Sequence, residues 1–90
     1  MPMVSSNFVV PNKYGMHARP AALFAKTAGR YEADIRVKNG SGFVDGKSVI
    51  NLLAMGAEKG ARLTVVADGR DARKAMEEIT FLFAASFGEK

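Results

Sequence analysis

The feature that most constrains the fold is an alternating segment followed by a turn. Residues 33–38, ADIRVK, alternate between apolar and polar side chains, as a strand buried on one face does. Asn39-Gly40 favours the left-handed backbone of a tight hairpin, and Phe43-Val44 begins the returning strand. A hairpin pairs its strands in antiparallel fashion, and strands with one polar face need cover on only one side. The pattern therefore predicts an antiparallel sheet with helices on one face.

The rest of the chain supplies the other strands and the helices. β-rich segments lie at residues 4–10 and 62–67. Three segments have helical spacing: residues 18–28, 49–57 and 71–87. The order is βαββαβα, which predicts an α+β open-faced β-sandwich with a four-stranded antiparallel sheet covered on one face by three helices. Because 90 residues can enclose only one core, we expect a single domain over residues 1–90.

Composition excludes several classes of protein. The chain has no cysteine, which rules out disulfides, thiolate catalysis and cysteine-based metal sites. No apolar run approaches the roughly 20 residues that cross a bilayer, and the start, MPMVSSNFVV, lacks the features of a secretory signal. We expect a cytoplasmic protein that does not insert into a membrane, and a monomer.

The net charge of +4, from 13 basic and 9 acidic side chains, allows acidic partners. The basic residues are scattered among acidic ones, and only Arg73 and Lys74 are adjacent. A solvated surface explains this distribution better than a stripe that binds nucleic acid does. We therefore expect no nucleic-acid partner.

His17 is the one histidine of the chain, and it stands at the start of the first predicted helix. Gly15 lets the preceding loop turn sharply. Pro20 falls in the first helical turn, where its missing N–H costs little. A lone histidine is usually structural, but this context favours a functional one.

The surroundings of His17 suit phosphate chemistry. The free N–H groups that begin with Ala18 and Arg19 form a cradle for an anion, aided by the helix dipole. The Arg19 guanidinium adds a fork for phosphate oxygens. The same positive surroundings disfavour imidazolium and so keep the ring nucleophilic. These residues predict a covalent phosphohistidine at His17.

Other uses of His17 lack the residues they require. A metal site needs several ligands, and no second histidine or any cysteine is available. A catalytic triad needs a cleft that 90 residues scarcely provide. No P-loop or dinucleotide motif is present. We therefore expect the protein to use no metal and no cofactor. We expect it to be a carrier and not an enzyme, because its partners supply the catalysis.

Two runs carry a resemblance to a known family. NKYGMHARPAA, residues 12–22, is similar to the active-centre signature of the histidine-containing phosphocarriers of the bacterial phosphotransferase system, and residues 46–60 resemble that family's second signature. The resemblance covers essentially the whole chain and implies the same sandwich fold. It implies phosphorylation of His17 by enzyme I, with phosphoenolpyruvate as the source, and transfer to A-type phosphotransferase domains. Arg19 would be the active-site arginine.

The resemblance also assigns roles to residues near the second helix. Ser48 matches the family's regulatory serine, which implies a serine kinase or phosphatase as a partner. Its plainer role is to cap the helix N-terminus, and the two roles are compatible. The resemblance places Leu23, Ile50 and Leu53 where partners dock, whereas Ile50 and Leu53 could equally belong to the core.

The biological branch is left open by the sequence. NKYGMHARPA, SVINLLAM and FLFAASFGE are more similar to nitrogen-branch phosphocarriers than to those of sugar uptake. The alternatives to a sugar-uptake carrier are therefore a nitrogen-branch regulatory phosphorelay and a regulatory binder controlled by serine phosphorylation.

Overall fold

A computed structural model describes residues 2–89. Within them, four strands form one sheet in the order β1-β4-β2-β3, and all three neighbouring pairs are antiparallel. The strands are β1 (Met3–Val9), β2 (Asp34–Lys38), β3 (Phe43–Asp45) and β4 (Arg62–Asp68). The helices are α1 (Ala18–Gly29), α2 (Val49–Ala54) and α3 (Ala72–Ala84). The predicted open-faced sandwich and its order of elements are confirmed.

The sheet buries one face because its strands alternate. Phe8 of β1 lies opposite Leu63 of β4, and Val37 of β2 lies opposite Val65 of the same strand. Leu63, Val65 and Val37 are completely buried, whereas Arg62 on the other face is exposed. β4 and β2 are each paired on both sides and are the two central strands of the sheet.

Each helix packs an apolar face against the buried face of the sheet. Phe24 of α1, Leu52 of α2 and Ile79 of α3 are fully buried in the same cluster as Ile35 and Leu63. Burying a side chain of this size stabilises the fold by about 1.5–3 kcal/mol relative to exposure. α3 packs on β1 and β4, while α1 packs on α2 and α3. This packing fixes the position of α1 and therefore of its N-terminus.

The last helix is shorter than the sequence pattern predicts. α3 ends at Ala84 rather than near Phe87, and a 3-10 turn follows over Ser86–Gly88. Ser86 and Phe87 have φ values of 52° and 54°, which is a left-handed backbone that non-glycine residues seldom adopt. Phe87 is 3% exposed, with its ring edge-on to Phe83 at 4.9 Å. Burial of this aromatic ring stabilises the reversal of the chain.

The second helix and the hairpin also differ from prediction in detail. α2 ends at Ala54 rather than Ala57, since Gly56 has a φ of 62° and its N–H bonds to Leu53 O. Residues 39–42 connect β2 to β3. Gly40 and Gly42, at φ values of 85° and 75°, supply the left-handed positions there, and Asn39 does not. The left-handed residues of the turn are therefore Gly40 and Gly42, and not the pair Asn39-Gly40 that the sequence predicts.

Candidate functional site

His17 is the N-cap residue of α1, with φ −79° and ψ −169°. Its carbonyl oxygen accepts the N–H of Ala21 at 3.0 Å, while its imidazole forms no capping bond. The side chain is 35% exposed. The helix therefore fixes the backbone of His17 and leaves the ring available to other groups.

The loop before His17 is held against the segment that follows α2. Gly15 has a φ of 71°, and a Cβ there would lie 2.9 Å from the Cα of Glu58 and even closer to the Ala57 carbonyl oxygen. The N–H of buried Met16 bonds to that same carbonyl at 2.9 Å. Glycine is therefore required at position 15 for both conformation and space, which confirms the predicted sharp turn.

The N-terminus of α1 presents backbone donors beside His17. The first donor within the helix is the N–H of Ala21, so those of Ala18 and Arg19 precede the helical ladder, and Pro20 has none. α1 is 12 residues long, and its first turn contains no acidic side chain. The positive end of the helix dipole is therefore not neutralised within that turn, as the sequence predicts.

Glu89 also contacts the histidine ring, although it is far away in sequence. Its carboxylate oxygens lie 3.1 and 3.2 Å from Nε2 of His17. An ionised carboxylate can only accept a hydrogen bond, so Nε2 carries the proton in this contact. Sequence reasoning missed Glu89, because the predicted helix continued to residue 87 and left out the turn over Ser86–Gly88 that precedes Glu89.

Asn12 holds the carboxylate of Glu89 in place. The Asn12 Nδ2 group donates to Glu89 Oε1 at 2.6 Å and to the Ser86 carbonyl at 2.9 Å. Asn12 is 3% exposed, and its Oδ1 atom is buried without a hydrogen-bond partner among the described residues. Asn12 is the second residue of the site that the sequence did not reveal. The one available signal was its place in the polar stretch before His17.

The environment of Glu89 favours its ionised form. Removal from solvent raises the pKa of the carboxyl, but hydrogen bonds from His17 and Asn12 and the nearby positive charge of Arg19 outweigh this effect. The pKa of Glu89 consequently lies below its ordinary value. The carboxylate is therefore ionised at neutral pH.

Exposed side chains surround this centre. Arg19 lines a shallow depression with Lys13, Tyr14 and Glu89. The Tyr14 ring is 74% exposed and stands edge-on to His17, with 6.1 Å between centroids. The Lys13 ammonium lies 5.4 Å from the centre of the Tyr14 ring. Arg19 and His17 thus both lie beside Glu89, and Tyr14 adds an aromatic neighbour.

Ser48 caps α2. Its hydroxyl oxygen accepts the backbone N–H of Asn51 at 3.1 Å and the Asn51 side-chain amide at 3.0 Å. The predicted N-cap role is therefore confirmed. Both bonds lie at the start of α2, and no hydrogen bond joins Ser48 to His17 within residues 2–89.

Two of the three predicted docking residues are exposed, and the third is partly buried. Ile50 is 78% exposed and Leu53 is 41% exposed, so the alternative that both lie in the core is wrong. Leu23 is partly buried and lines a groove of about 460 Å³ between α1 and α3. Phe81, 70% exposed, lines the same groove.

The described part of the chain contains no cluster of three or more His, Cys, Asp and Glu residues that could hold a metal ion. Within the same residues, no helix is both long and apolar enough to span a bilayer.

Comparison with known proteins defines the class to which this fold and site belong. A family model for the phosphorylation site of the HPr component of the phosphotransferase system matches residues 4–85. The chain belongs to this family of histidine-containing phosphocarriers.

Curated relatives include both short and long proteins. The chain is 38% identical over 90 residues to a multiphosphoryl transfer protein of Escherichia coli O157:H7, which covers 97% of this chain and 24% of that protein. It therefore spans about a quarter of the length of this relative. It is 33% identical over 87 residues to the phosphocarrier protein HPr of Neisseria meningitidis, covering 97% of this chain and 98% of that protein.

Solved structures share the whole fold. HPr-C-His from Thermoanaerobacter tengcongensis superposes with a TM-score of 0.89 at 33% identity, over 100% of this chain and 99% of that one. HPr from Bacillus anthracis superposes with a TM-score of 0.82 at 34% identity, over 88% of this chain and 94% of that one. Both structures have the sandwich described above.

Proposed function

We propose that this protein accepts a phosphoryl group on His17 and passes it to a second protein. One observation carries the proposal: a partly exposed imidazole stands at the N-cap of α1, beside the N–H groups of Ala18 and Arg19 that precede the helical ladder. Such a helix start binds anions. The imidazole supplies the nucleophile, and the backbone donors bind the phosphoryl oxygens.

The contact with Glu89 selects the nitrogen that reacts. Because Nε2 of His17 is hydrogen-bonded to Glu89, the Nδ1 lone pair is the one available for attack on phosphorus. A bond forms between Nδ1 and phosphorus, and the bond to the donor breaks with its electron pair leaving on the donor. Arg19 and the backbone N–H groups stabilise the charge on the three oxygens during transfer.

Membership of the family supports a donor and an acceptor for this step. We propose enzyme I, charged from phosphoenolpyruvate, as the donor and A-type phosphotransferase domains as acceptors, in the cytoplasm and in sugar uptake. The protein acts as a monomeric carrier and not as an enzyme, because its partners hold the catalytic groups. Exposed Ile50 and Leu53, with Leu23, provide apolar contacts for these partners.

Serine control is a second candidate function, favoured by the position of Ser48. Phosphate on Ser48 would add negative charge at the start of α2, beside the exposed Ile50. A serine kinase and phosphatase would then regulate docking. Such control is compatible with a nitrogen-branch phosphorelay as well as with sugar uptake, and the resemblance of NKYGMHARPA and FLFAASFGE favours the former.

The carrier function is tested by transfer in two stages. The protein is first phosphorylated with enzyme I and phosphoenolpyruvate, then separated from both and mixed with A-type domains of the sugar and nitrogen branches. We expect the phosphoryl group to leave this protein and appear on an A-type domain, faster for the cognate branch. Retention of the group in both mixtures would contradict the carrier proposal.

A further inference from the structure

We propose that Asn12 and Glu89 are positioning residues for phosphoryl transfer: the Glu89 carboxylate holds the Nε2 proton of His17, and Asn12 holds the carboxylate. This inference rests on the proposed phosphoryl chemistry of His17. It extends the reactive site from the start of α1 to the C-terminal turn, which lies 72 residues further along the chain.

The backbone after α3 places Glu89 at the site. Ser86 and Phe87, both left-handed, reverse the chain where α3 ends. A left-handed conformation at a non-glycine residue costs free energy, because its Cβ crowds the following carbonyl oxygen. Burial of Phe87 against Phe83 offsets that cost. The reversed chain then brings Glu89 to the ring of His17.

Asn12 joins this turn to the loop that precedes His17. Its Nδ2 group binds Ser86 and Glu89, while its backbone oxygen accepts the N–H of Gly15 at 3.0 Å. The side chain is buried although its Oδ1 atom has no hydrogen-bond partner within residues 2–89, an arrangement that normally destabilises a fold. What the asparagine contributes is its two amide donors, and one of them fixes the carboxylate that contacts the imidazole.

The chemistry of transfer explains what this arrangement does. With the proton on Nε2, the Nδ1 lone pair attacks phosphorus, and the bond to the donor breaks with its electron pair going to the donor. The ring gains positive charge, and the Nε2 proton stays shared with Glu89, so no proton has to leave the site. In a Ser-His-Asp triad, the aspartate likewise holds the imidazole in the reactive tautomer and stabilises imidazolium.

The reverse step uses the same contact. In phosphohistidine with a protonated Nε2, the ring departs as neutral imidazole: the acceptor's nucleophile forms a new bond to phosphorus, and the bond between Nδ1 and phosphorus breaks with its electron pair returning to Nδ1. Glu89 keeps the Nε2 proton in place from the side of the ring away from the phosphoryl group, so the ring does not have to leave as an anion. Removal of Glu89 should therefore slow acceptance and donation together.

The test compares Glu89→Ala, Glu89→Gln, Asn12→Ala and the Asn12→Ala/Glu89→Ala double variant. Glu32→Ala is the matched control, since Glu32 is a carboxylate that pairs with exposed Arg70. Phosphoryl transfer rates are measured in both directions, and the ¹⁵N signals of the His17 ring report which nitrogen carries the proton. Circular dichroism verifies that each variant is folded. The Glu89 variants decide the outcome, because they leave the apolar core intact, whereas Asn12 is buried.

We expect Glu89→Ala to slow transfer about tenfold, the lower end of the range for removing a group that orients a metal-binding histidine. Glu89→Gln, which keeps an acceptor oxygen, should recover part of the rate. Asn12→Ala should slow transfer less and add nothing in the Glu89→Ala background, because it acts through Glu89. Glu32→Ala should match the wild type.

Wild-type rates and unchanged ring signals in folded Glu89→Ala would overturn the proposal. The ring signals also separate it from the proposed function, because they need no phosphoryl donor. A wild-type protein that cannot be phosphorylated would contradict the function. Ring signals that do not respond to Glu89→Ala would contradict the positioning role alone.

Discussion

The Nε2 atom of His17 lies 3.1 Å from the carboxylate of Glu89. This contact joins the N-cap of α1 to the turn that follows α3. Buried Asn12 holds the Glu89 carboxylate in place by donating a hydrogen bond to it. The C-terminal turn is consequently part of the candidate site.

The Glu89 contact should make stability depend on pH. Because the pKa of Glu89 is lowered in the folded protein from its ordinary 4.5, its contribution is complete above about pH 4.5 and is lost as the pH falls through the lowered folded value. Free energies of unfolding for wild type and Glu89→Gln should differ by a constant amount above that range and converge below it. A difference that grows towards acid pH would contradict the assignment.

Arg19 should affect transfer and not folding. Its side chain is exposed, so Arg19→Ala should change the free energy of unfolding by no more than about 0.5 kcal/mol. The same variant should slow transfer in both directions, since the fork that grips phosphate oxygens is lost. Arg19→Lys, which keeps the charge alone, should recover only part of the rate. Wild-type rates for Arg19→Ala would leave this arginine as a surface charge.

Ser48 should contribute to stability through its bonds to Asn51. Ser48→Ala removes both and should lower the free energy of unfolding by about 1 kcal/mol. Ser48→Asp can still cap α2 and favours its dipole, so stability should be kept or raised. Chemical denaturation of the three proteins measures both effects. Equal stability of Ser48→Ala and wild type would show that the cap is unimportant.

The gating role of Ser48 makes a separate prediction. Protein phosphorylated on Ser48 should accept a phosphoryl group from enzyme I more slowly, because new charge disturbs docking around Ile50 and Leu53. Ser48→Asp should show a smaller effect in the same direction, with the ring signals of His17 unchanged. Unaltered acceptance by serine-phosphorylated protein would leave Ser48 as a helix cap only.

Phe87 should connect core packing to the site. Phe87→Ala removes a buried ring from contact with Phe83 and should cost about 3 kcal/mol of stability. Without the buried ring, the turn over Ser86–Gly88 should no longer hold Glu89 against His17. The ¹⁵N signals of the His17 ring should then change. Phe43→Ala is a suitable control, since that exposed ring lies on β3. His17 signals that match wild type in folded Phe87→Ala would show that the turn does not depend on the Phe87 ring.

Strands and helices were predictable where their periodicity was strong. Ile35 and Val37 alternate with polar neighbours, and both are fully buried in β2. Ala21 and Phe24 recur at helical spacing and are fully buried in α1. The strand period and the helix period both reflect burial of one face of the element. The sheet and the helices that cover it could therefore be predicted from the sequence.

The ends of the helices and half of the site could not be predicted. Ser86 and Phe87 carry no glycine signal for a left-handed turn, and only burial of Phe87 in the assembled core favours one. Asn12 and Glu89 meet 77 positions apart through that turn. Their pairing depends on tertiary packing, and no local pattern in the sequence encodes it.

The most direct test of the central claim is the intact mass of the protein after incubation with enzyme I and phosphoenolpyruvate. Wild type should gain one phosphoryl group that survives at neutral pH and is lost in acid. Folded His17→Ala should gain none, and Ser48→Ala should gain one as wild type does. Undiminished, acid-labile labelling of His17→Ala would contradict the account.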